Sequence, residues 1–254
     1  MDQRFVMKTL LTATCAALIL AQPALSTATA ADPGIRHQQV QFAKGASSAS
    51  LQGKLKGDEM VDYVVRAGAG QTLTVALKKT NSQNYINVLP PGSTDVAMYV
   101  GQTGNDFKGV LPTDGDYTVR VYLMRPAARR NETSAYTLTI GVTGKALAAL
   151  PASQDAVLPG TPFHASAQIT CVPFLETKPR QCEAFVIRRG IDGTATVEIA
   201  QPNSGKRLIL FVQGKPVASD SQDALSFSRQ GDVTVVKLGA DERYDIPDAL
   251  VSGG

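Results

Sequence analysis

The chain has 254 residues, a formal net charge of +3 from 25 Lys and Arg against 22 Asp and Glu, three Cys and no Trp. A balance this mild gives no electrostatic case for nucleic acid, whose binders concentrate positive charge on one face. The longest apolar run, Thr9 to Ala21, is shorter than the about 20 residues a membrane-spanning helix needs.

The first thirty residues have the three-part layout of a secretory signal. Arg4 and Lys8 precede the apolar run, and Ala28-Thr29-Ala30 supplies a small-x-small cleavage pattern. Cleavage is expected after Ala30, which implies a periplasmic or secreted protein. The leader carries Arg4, Lys8 and Asp2, so its loss lowers the charge of +3 by one. Cys15 leaves with it. The remaining pair, Cys171 and Cys182, is expected to form a disulfide in an oxidising compartment. The spacing between them and the lack of a nearby His argue against a zinc site, and no metal or cofactor is expected.

Residues 36–142 alternate short β-like runs with turn signals. In Thr72-Leu73-Thr74-Val75-Ala76-Leu77, Leu73, Val75 and Leu77 fall on every second position, so one face can meet a core. The runs Tyr117–Leu123 and Tyr136–Val142 repeat the pattern. Turns are expected at Gly68-Ala69-Gly70, Pro90-Pro91-Gly92-Ser93 and Pro112-Thr113-Asp114-Gly115-Asp116. Residues 143–162, with Pro151, Pro159 and Pro162, read as a Pro/Ala-rich linker, compatible with a short helical turn around Ala146–Leu150. From 163 to 254 β-like runs return at His164–Val172, Glu183–Arg189, Thr194–Ala200, Arg207–Gln213 and Val233–Leu238. The segment between Cys171 and Cys182 reads as a hairpin excursion stapled at its base. The expected fold is therefore all-β: two small antiparallel sandwich or barrel-like domains after a cleaved leader.

Catalytic signatures are missing. There is no G-x-S-x-G elbow, Walker A loop, H-E-x-x-H or intact EF-hand pattern, so the chain does not read as an enzyme. His37 and His164 are the only imidazoles, and His164 is expected to be structural. Asp114 and Asp116 flank Gly115 in what is first of all a turn. In the second module, Arg188-Arg189-Gly190 is expected to guard a sheet edge with charge. The tail from Glu242 is expected to pack Tyr244 and Ile246 onto its own sheet.

The most informative segment is Arg125-Pro126-Ala127-Ala128-Arg129-Arg130-Asn131-Glu132-Thr133. One helical turn here would set Arg125 and Arg129 on the same side, because residues four apart are neighbours on a helix. Paired guanidinium groups suit planar recognition of carboxylates. The alternative is a solvated loop in which Glu132 neutralises Arg129 or Arg130.

Several pieces between Val40 and Val142 resemble the periplasmic inhibitors of g-type lysozyme. They are Phe42-Ala43-Lys44-Gly45-Ala46-Ser47-Ser48-Ala49, Gly53-Lys54-Leu55-Lys56-Gly57, Gly70-Gln71, and Leu111-Pro112 through Gly115 and Tyr117 to Arg120-Val121, Arg125, Ala128-Arg129 and Tyr136. Gly70–Val75 and Asp114–Tyr117 are also similar to pre-peptidase C-terminal β-sandwich modules. The inhibitor resemblance implies a β-sandwich that pushes a Ser-Gly turn and a nearby arginine loop into a lysozyme cleft. It places Arg125 and Arg129 on the family's functional arginines, Asp114 where the family has a serine, and Asp58 where it has a tyrosine. The implied partner-binding set is Arg125, Arg129, Arg130, Asp114, Gly115, Tyr117 and Asp58, with g-type lysozyme as partner. A non-catalytic envelope or carbohydrate-binding module is the alternative, for which Tyr85, Tyr99 and Tyr122 would supply rings.

Overall fold

A computed structural model describes residues 34–104, 106–201 and 205–253. The expected leader, its cleavage site and Cys15 lie outside the described residues. The first module contains β1 (Ile35–Gln39), β2 (Ser48–Lys56), β3 (Met60–Ala67), β4 (Thr72–Lys79), β5 (Asn84–Leu89), β6 (Tyr99–Val100), β7 (Asp106–Val110), β8 (Gly115–Leu123), a short helix α1 (Arg125–Arg129) and β9 (Thr133–Thr143). Two sheets face each other, one in the order β1-β3-β8-β5-β6 and one in the order β2-β9-β4-β7. All pairings are antiparallel except β1 with β3.

Alternation within each strand builds the core between the sheets. Leu73, Val75 and Leu77 of β4, Tyr117, Val119 and Val121 of β8, and Leu138 and Ile140 of β9 are buried, while their neighbours point outward. Tyr63 and Tyr136 meet across the two sheets, with hydroxyl oxygens 2.9 Å apart and rings in an edge-to-face arrangement. The Tyr136 ring lies across Gly53, where any Cβ would come within 2.3 Å of it. A glycine is thus required on the strand paired with Tyr136.

The second module contains β10 (Ala165–Val172), β11 (Arg180–Arg188), β12 (Ala195–Ala200), β13 (Lys206–Val212), β14 (Lys215–Ser219), β15 (Leu225–Gln230), β16 (Val233–Leu238), β17 (Glu242–Pro247) and the terminal helix α2 (Asp248–Ser252). They form one antiparallel eight-stranded sheet, β14-β13-β12-β11-β10-β17-β16-β15, whose outer strands β14 and β15 approach each other to give a near-barrel. Its core includes Ile169, Val186, Val197, Ile209, Phe211, Val236, Tyr244 and Ile246. Cys171 and Cys182 are disulfide-bonded across β10 and β11, with Cα atoms 5.9 Å apart, and close the hairpin that carries Pro173–Pro179. The all-β reading and the disulfide are both observed.

The connection between the modules is pinned along its length. Residues 145–150 form neither helix nor strand, so the helical turn considered from their composition is not present. The amide of Leu147 donates to Ala69 O and that of Leu150 to Arg188 O. His164 accepts from the Arg188 amide on Nδ1, so its Nε2 carries the proton and donates to Leu150 O at 3.0 Å. With both ring nitrogens engaged, the imidazole is a structural strut. Ala69 from the first module packs with Leu210 and Ala218 from the second, and Leu147 of the connection joins them. This contact explains why β13 is buried on both faces and lacks alternation. The described residues form one compact unit.

Arg188 and Arg189 do not guard an exposed edge, which corrects the sequence expectation. Arg188 pairs with Asp155 at 2.9 Å and donates to Leu250 O. The Arg189 side chain is 0% exposed and reaches Asp114, Leu147 O and Thr196 Oγ1. Both sit where strands, connection and terminal helix converge, and their charge is compensated there instead of facing water.

Candidate functional site

The site begins where β8 ends. Pro126, in the first turn of α1, has the fixed φ that suits a helix start and lacks an N–H that would go unused there. Ala127 and Ala128 are small and buried against the sandwich, at 0% and 6% exposure, whereas Arg125, Arg129 and Arg130 are exposed. Asn131 ends the helix in the left-handed conformation, φ 56°, which Asn tolerates. Across from it Gly57, also left-handed at φ 58°, leaves room for the Asn131 side chain, since a Cβ at Gly57 would lie 2.8 Å from Asn131 Oδ1. The Gly57 amide donates to Glu132 O at 2.9 Å. The β2–β3 turn carrying Asp58 is thus fastened to the arginine loop.

Glu132 decides how the three arginines differ. Its carboxylate accepts from Asn81 Nδ2 at 2.8 Å and from Arg130 Nε at 2.7 Å. These hydrogen bonds, that of Asn81 first, hold its carboxyl below the usual value. Arg130 is therefore neutralised in place. Arg125 and Arg129, four residues apart on α1, make no ion pair or side-chain hydrogen bond with any described residue. Beside Arg125 a groove of about 430 Å³ is lined by Asp58, Met60, Gln102, Tyr122 and Met124.

The other residues expected at the same contact are elsewhere. Asp114 and Gly115 stand at the start of β8 and Arg125 just past its end, and a nine-residue strand spans roughly 26 Å at about 3.3 Å per residue. Asp114 Oδ1 accepts from the Ala69 amide at 2.9 Å, and Oδ2 pairs with Arg189 of the second module at 2.7 Å. Gly115 has φ 148° and abuts Pro91, where a Cβ would come within 2.7 Å. Tyr117 is 0% exposed and donates from its hydroxyl to Thr113 O at 2.8 Å, with burial pushing its phenol up in pKa. The seven residues thus lie in two places. Asp58, Arg125, Arg129 and Arg130 gather at one end of β8, while Asp114, Gly115 and Tyr117 build a corner at the other.

The three tyrosines considered for sugar stacking are engaged within the protein. Tyr99 packs on Phe107 with ring centres 5.1 Å apart, Lys79 Nζ lies 4.2 Å over the Tyr85 ring, and Tyr122 donates to Asn87 Oδ1 at 3.1 Å. Among the described residues, no group of three or more His, Cys, Asp and Glu is placed to hold a metal, and no helix is long and apolar enough to cross a membrane.

No profile of a known protein family matches the chain. It is, however, 32% identical over 122 residues to the inhibitor of g-type lysozyme of Escherichia coli strain K12, a match that covers 47% of this chain and 90% of that protein. The chain belongs to that family of inhibitors of g-type lysozyme. The likeness lies in the first module. Among solved structures, Aeromonas hydrophila PliG, a periplasmic inhibitor of g-type lysozyme, is 37% identical with a TM-score of 0.41, covering 43% of this chain and 97% of its own. Salmonella Typhimurium PliG, also a periplasmic inhibitor of g-type lysozyme, is 27% identical with a TM-score of 0.36, covering 42% of this chain and 98% of its own.

The site holds one feature that the sequence did not announce. Glu132 was legible as a neutralising group, but which arginine it takes depends on Asn81, more than fifty residues away in sequence. No spacing rule relates those positions. Arg189 was likewise visible only as a basic residue at a strand end.

Proposed function

We propose that the protein is an exported, periplasmic or secreted, inhibitor of g-type lysozyme that acts through the α1 end of its first module. The observation that carries this reading is the pair Arg125 and Arg129, exposed and without internal partners on a helical turn whose inner face is packed into the sandwich. A glycosidase cleft keeps a carboxyl group in place as general acid. A guanidinium inserted there pairs with that group, and the surrounding loops keep substrate out. Because the helix is short and held by Ala127, Ala128 and the Gly57–Asn131 contact, little side-chain and loop freedom is lost on docking, which favours tight binding. Asp58 on the neighbouring turn faces the same space and accepts hydrogen bonds from the partner's donors.

In this reading Asp114, Gly115 and Tyr117 support the fold and the second module instead of entering the cleft. The test is a panel of g-type, c-type and i-type lysozymes assayed on cell-wall substrate with the purified protein in several-fold molar excess. Selective loss of g-type activity is the expected result, and unchanged activity of all three would sink the proposal.

A further inference from the structure

Three connections cross one end of the sandwich side by side, and the arginine helix lies in the middle one. β8 stands between β3 and β5 in one sheet, and β9 stands between β2 and β4 in the other. The segment from β8 to β9, which carries α1, is therefore flanked by the β2–β3 turn and by the β4–β5 turn, residues 80–83. Both turns cross in the direction opposite to α1. A five-residue helix is shorter than the about 12–15 residues that are even marginally helical alone in water. The aim of Arg125 and Arg129 is accordingly set by what fastens the two ends of α1.

The β4–β5 turn fastens both. At the entrance the Met124 amide donates to Gln83 O at 2.9 Å. At the exit Asn81 Nδ2 donates to a carboxylate oxygen of Glu132 at 2.8 Å and to Thr133 O at 3.2 Å. The two ends are linked through Asn81 itself, because its Oδ1 accepts from the Gln83 amide at 2.9 Å. One chain of hydrogen bonds thus runs from Met124 through Gln83 and Asn81 to Glu132. The turn is braced from behind, where Thr80 exchanges hydrogen bonds with Ala135 of β9 and Lys79 Nζ donates to Ser82 O and Asn84 O. On the other flank the β2–β3 turn reaches the segment through its backbone, by the Gly57 amide.

We propose that Asn81 is a positioning residue for lysozyme inhibition, acting through Glu132 and Thr133 to hold the exit of α1 in register with its entrance so that Arg125 and Arg129 are presented together. The inference rests on the reading of those two arginines as the inhibitory pair. Its chemistry calls for an amide at this position. Glu132 and Thr133 O both need a donor and the Gln83 amide needs an acceptor, and a side-chain amide supplies the two at once.

The test reverses the polarity of the Asn81–Glu132 bond. Asn81→Asp keeps an acceptor for the Gln83 amide but sets a carboxylate against Glu132 and Thr133 O, and is expected to raise the inhibition constant for g-type lysozyme about tenfold or more. Glu132→Gln keeps an acceptor for Asn81 and is expected to have the smaller effect. Combined, the two substitutions again set a donor against an acceptor, and the double variant is expected to inhibit better than Asn81→Asp alone. Amide hydrogen exchange of the free proteins is expected to quicken at residues 124–133 in Asn81→Asp and to slow again in the double variant. Asn81→Ala, which removes the donor without adding charge, is expected to weaken inhibition severalfold and decides the question if the charged variant does not fold. Parental inhibition that both Asn81 variants retain overturns the positioning role alone. So does a double variant no better than Asn81→Asp, or a loss of inhibition with exchange at 124–133 unchanged. A parent protein without effect on g-type lysozyme sinks the proposed function itself, and the inference with it.

Discussion

Arg189 Nη1 lies 2.7 Å from Asp114 Oδ2, and this ion pair joins the second module to the turn that begins β8. The two partners are unequally placed, since the arginine side chain is 0% exposed and the aspartate 46%. Removing the aspartate strands a buried cation, whereas removing the arginine leaves a carboxylate that water reaches. Asp114→Ala is therefore expected to cost about 3 kcal/mol or more, and Arg189→Met, which keeps the apolar volume, about 1–2 kcal/mol. Urea unfolding of both variants measures the difference, and equal losses would contradict the asymmetry.

The arginine helix predicts a division between binding and stability. Arg125→Glu and Arg129→Glu are each expected to abolish inhibition of g-type lysozyme while changing stability by no more than about 0.5 kcal/mol, as surface substitutions do. Arg130→Ala is expected to leave inhibition nearly intact, because that guanidinium is already engaged by Glu132. Inhibition titrations paired with thermal melts separate these outcomes. Equal sensitivity at all three positions would point to a general charge effect instead of a specific pair.

Glu132 gives the arginine loop a pH dependence of definite sign. Its folded pKa is held below the ordinary 4.5, so its contribution is fully present above about pH 4.5 and is lost as acid protonates the folded carboxylate. Acidification through that range is expected to release Asn81 and Arg130 and loosen the loop. Glu132→Gln is expected to flatten this part of the stability profile while leaving neutral-pH folding largely intact. Unfolding midpoints of the two proteins between pH 3 and pH 7 provide the measurement, and parallel profiles would refute the assignment.

The disulfide closes a short loop, with ten residues between Cys171 and Cys182 in sequence. By the loop-closure argument its loss costs about 2–3 kcal/mol. The Cys171→Ala, Cys182→Ala double variant is expected to show that drop in urea unfolding yet inhibit lysozyme like the parent. A loss of inhibition in a folded double variant would tie the second module to the lysozyme contact.

Much of the fold was legible because period-two alternation survives wherever one face of a strand meets water. Leu73, Val75 and Leu77 of β4 show it directly. Along β13 the strand was readable as the run Arg207–Gln213, but which face meets which neighbour was not, because its continuous apolar stretch gives no direction to either face. The tail was read correctly, with Tyr244 and Ile246 both fully buried. Arg188 and Arg189 were misread because burial of a charge depends on partners such as Asp155 and Asp114, which lie far away along the chain. For the candidate site, the four-residue spacing of Arg125 and Arg129 was readable from sequence. The placement of Asp114 was not, because a sequence motif shared with relatives does not reveal which end of a strand a second module occupies.

The distance along β8 has a further consequence. Positions more than about 7–10 Å apart with no shared partners respond to substitution almost additively, and the corner at Asp114 and the turn at Arg125 are separated by the whole of a nine-residue strand. Either extremity can accordingly be rebuilt without retuning the other. Grafting a different appendage onto the moored corner, or reshaping the free turn for another target, becomes two separate engineering problems on one scaffold.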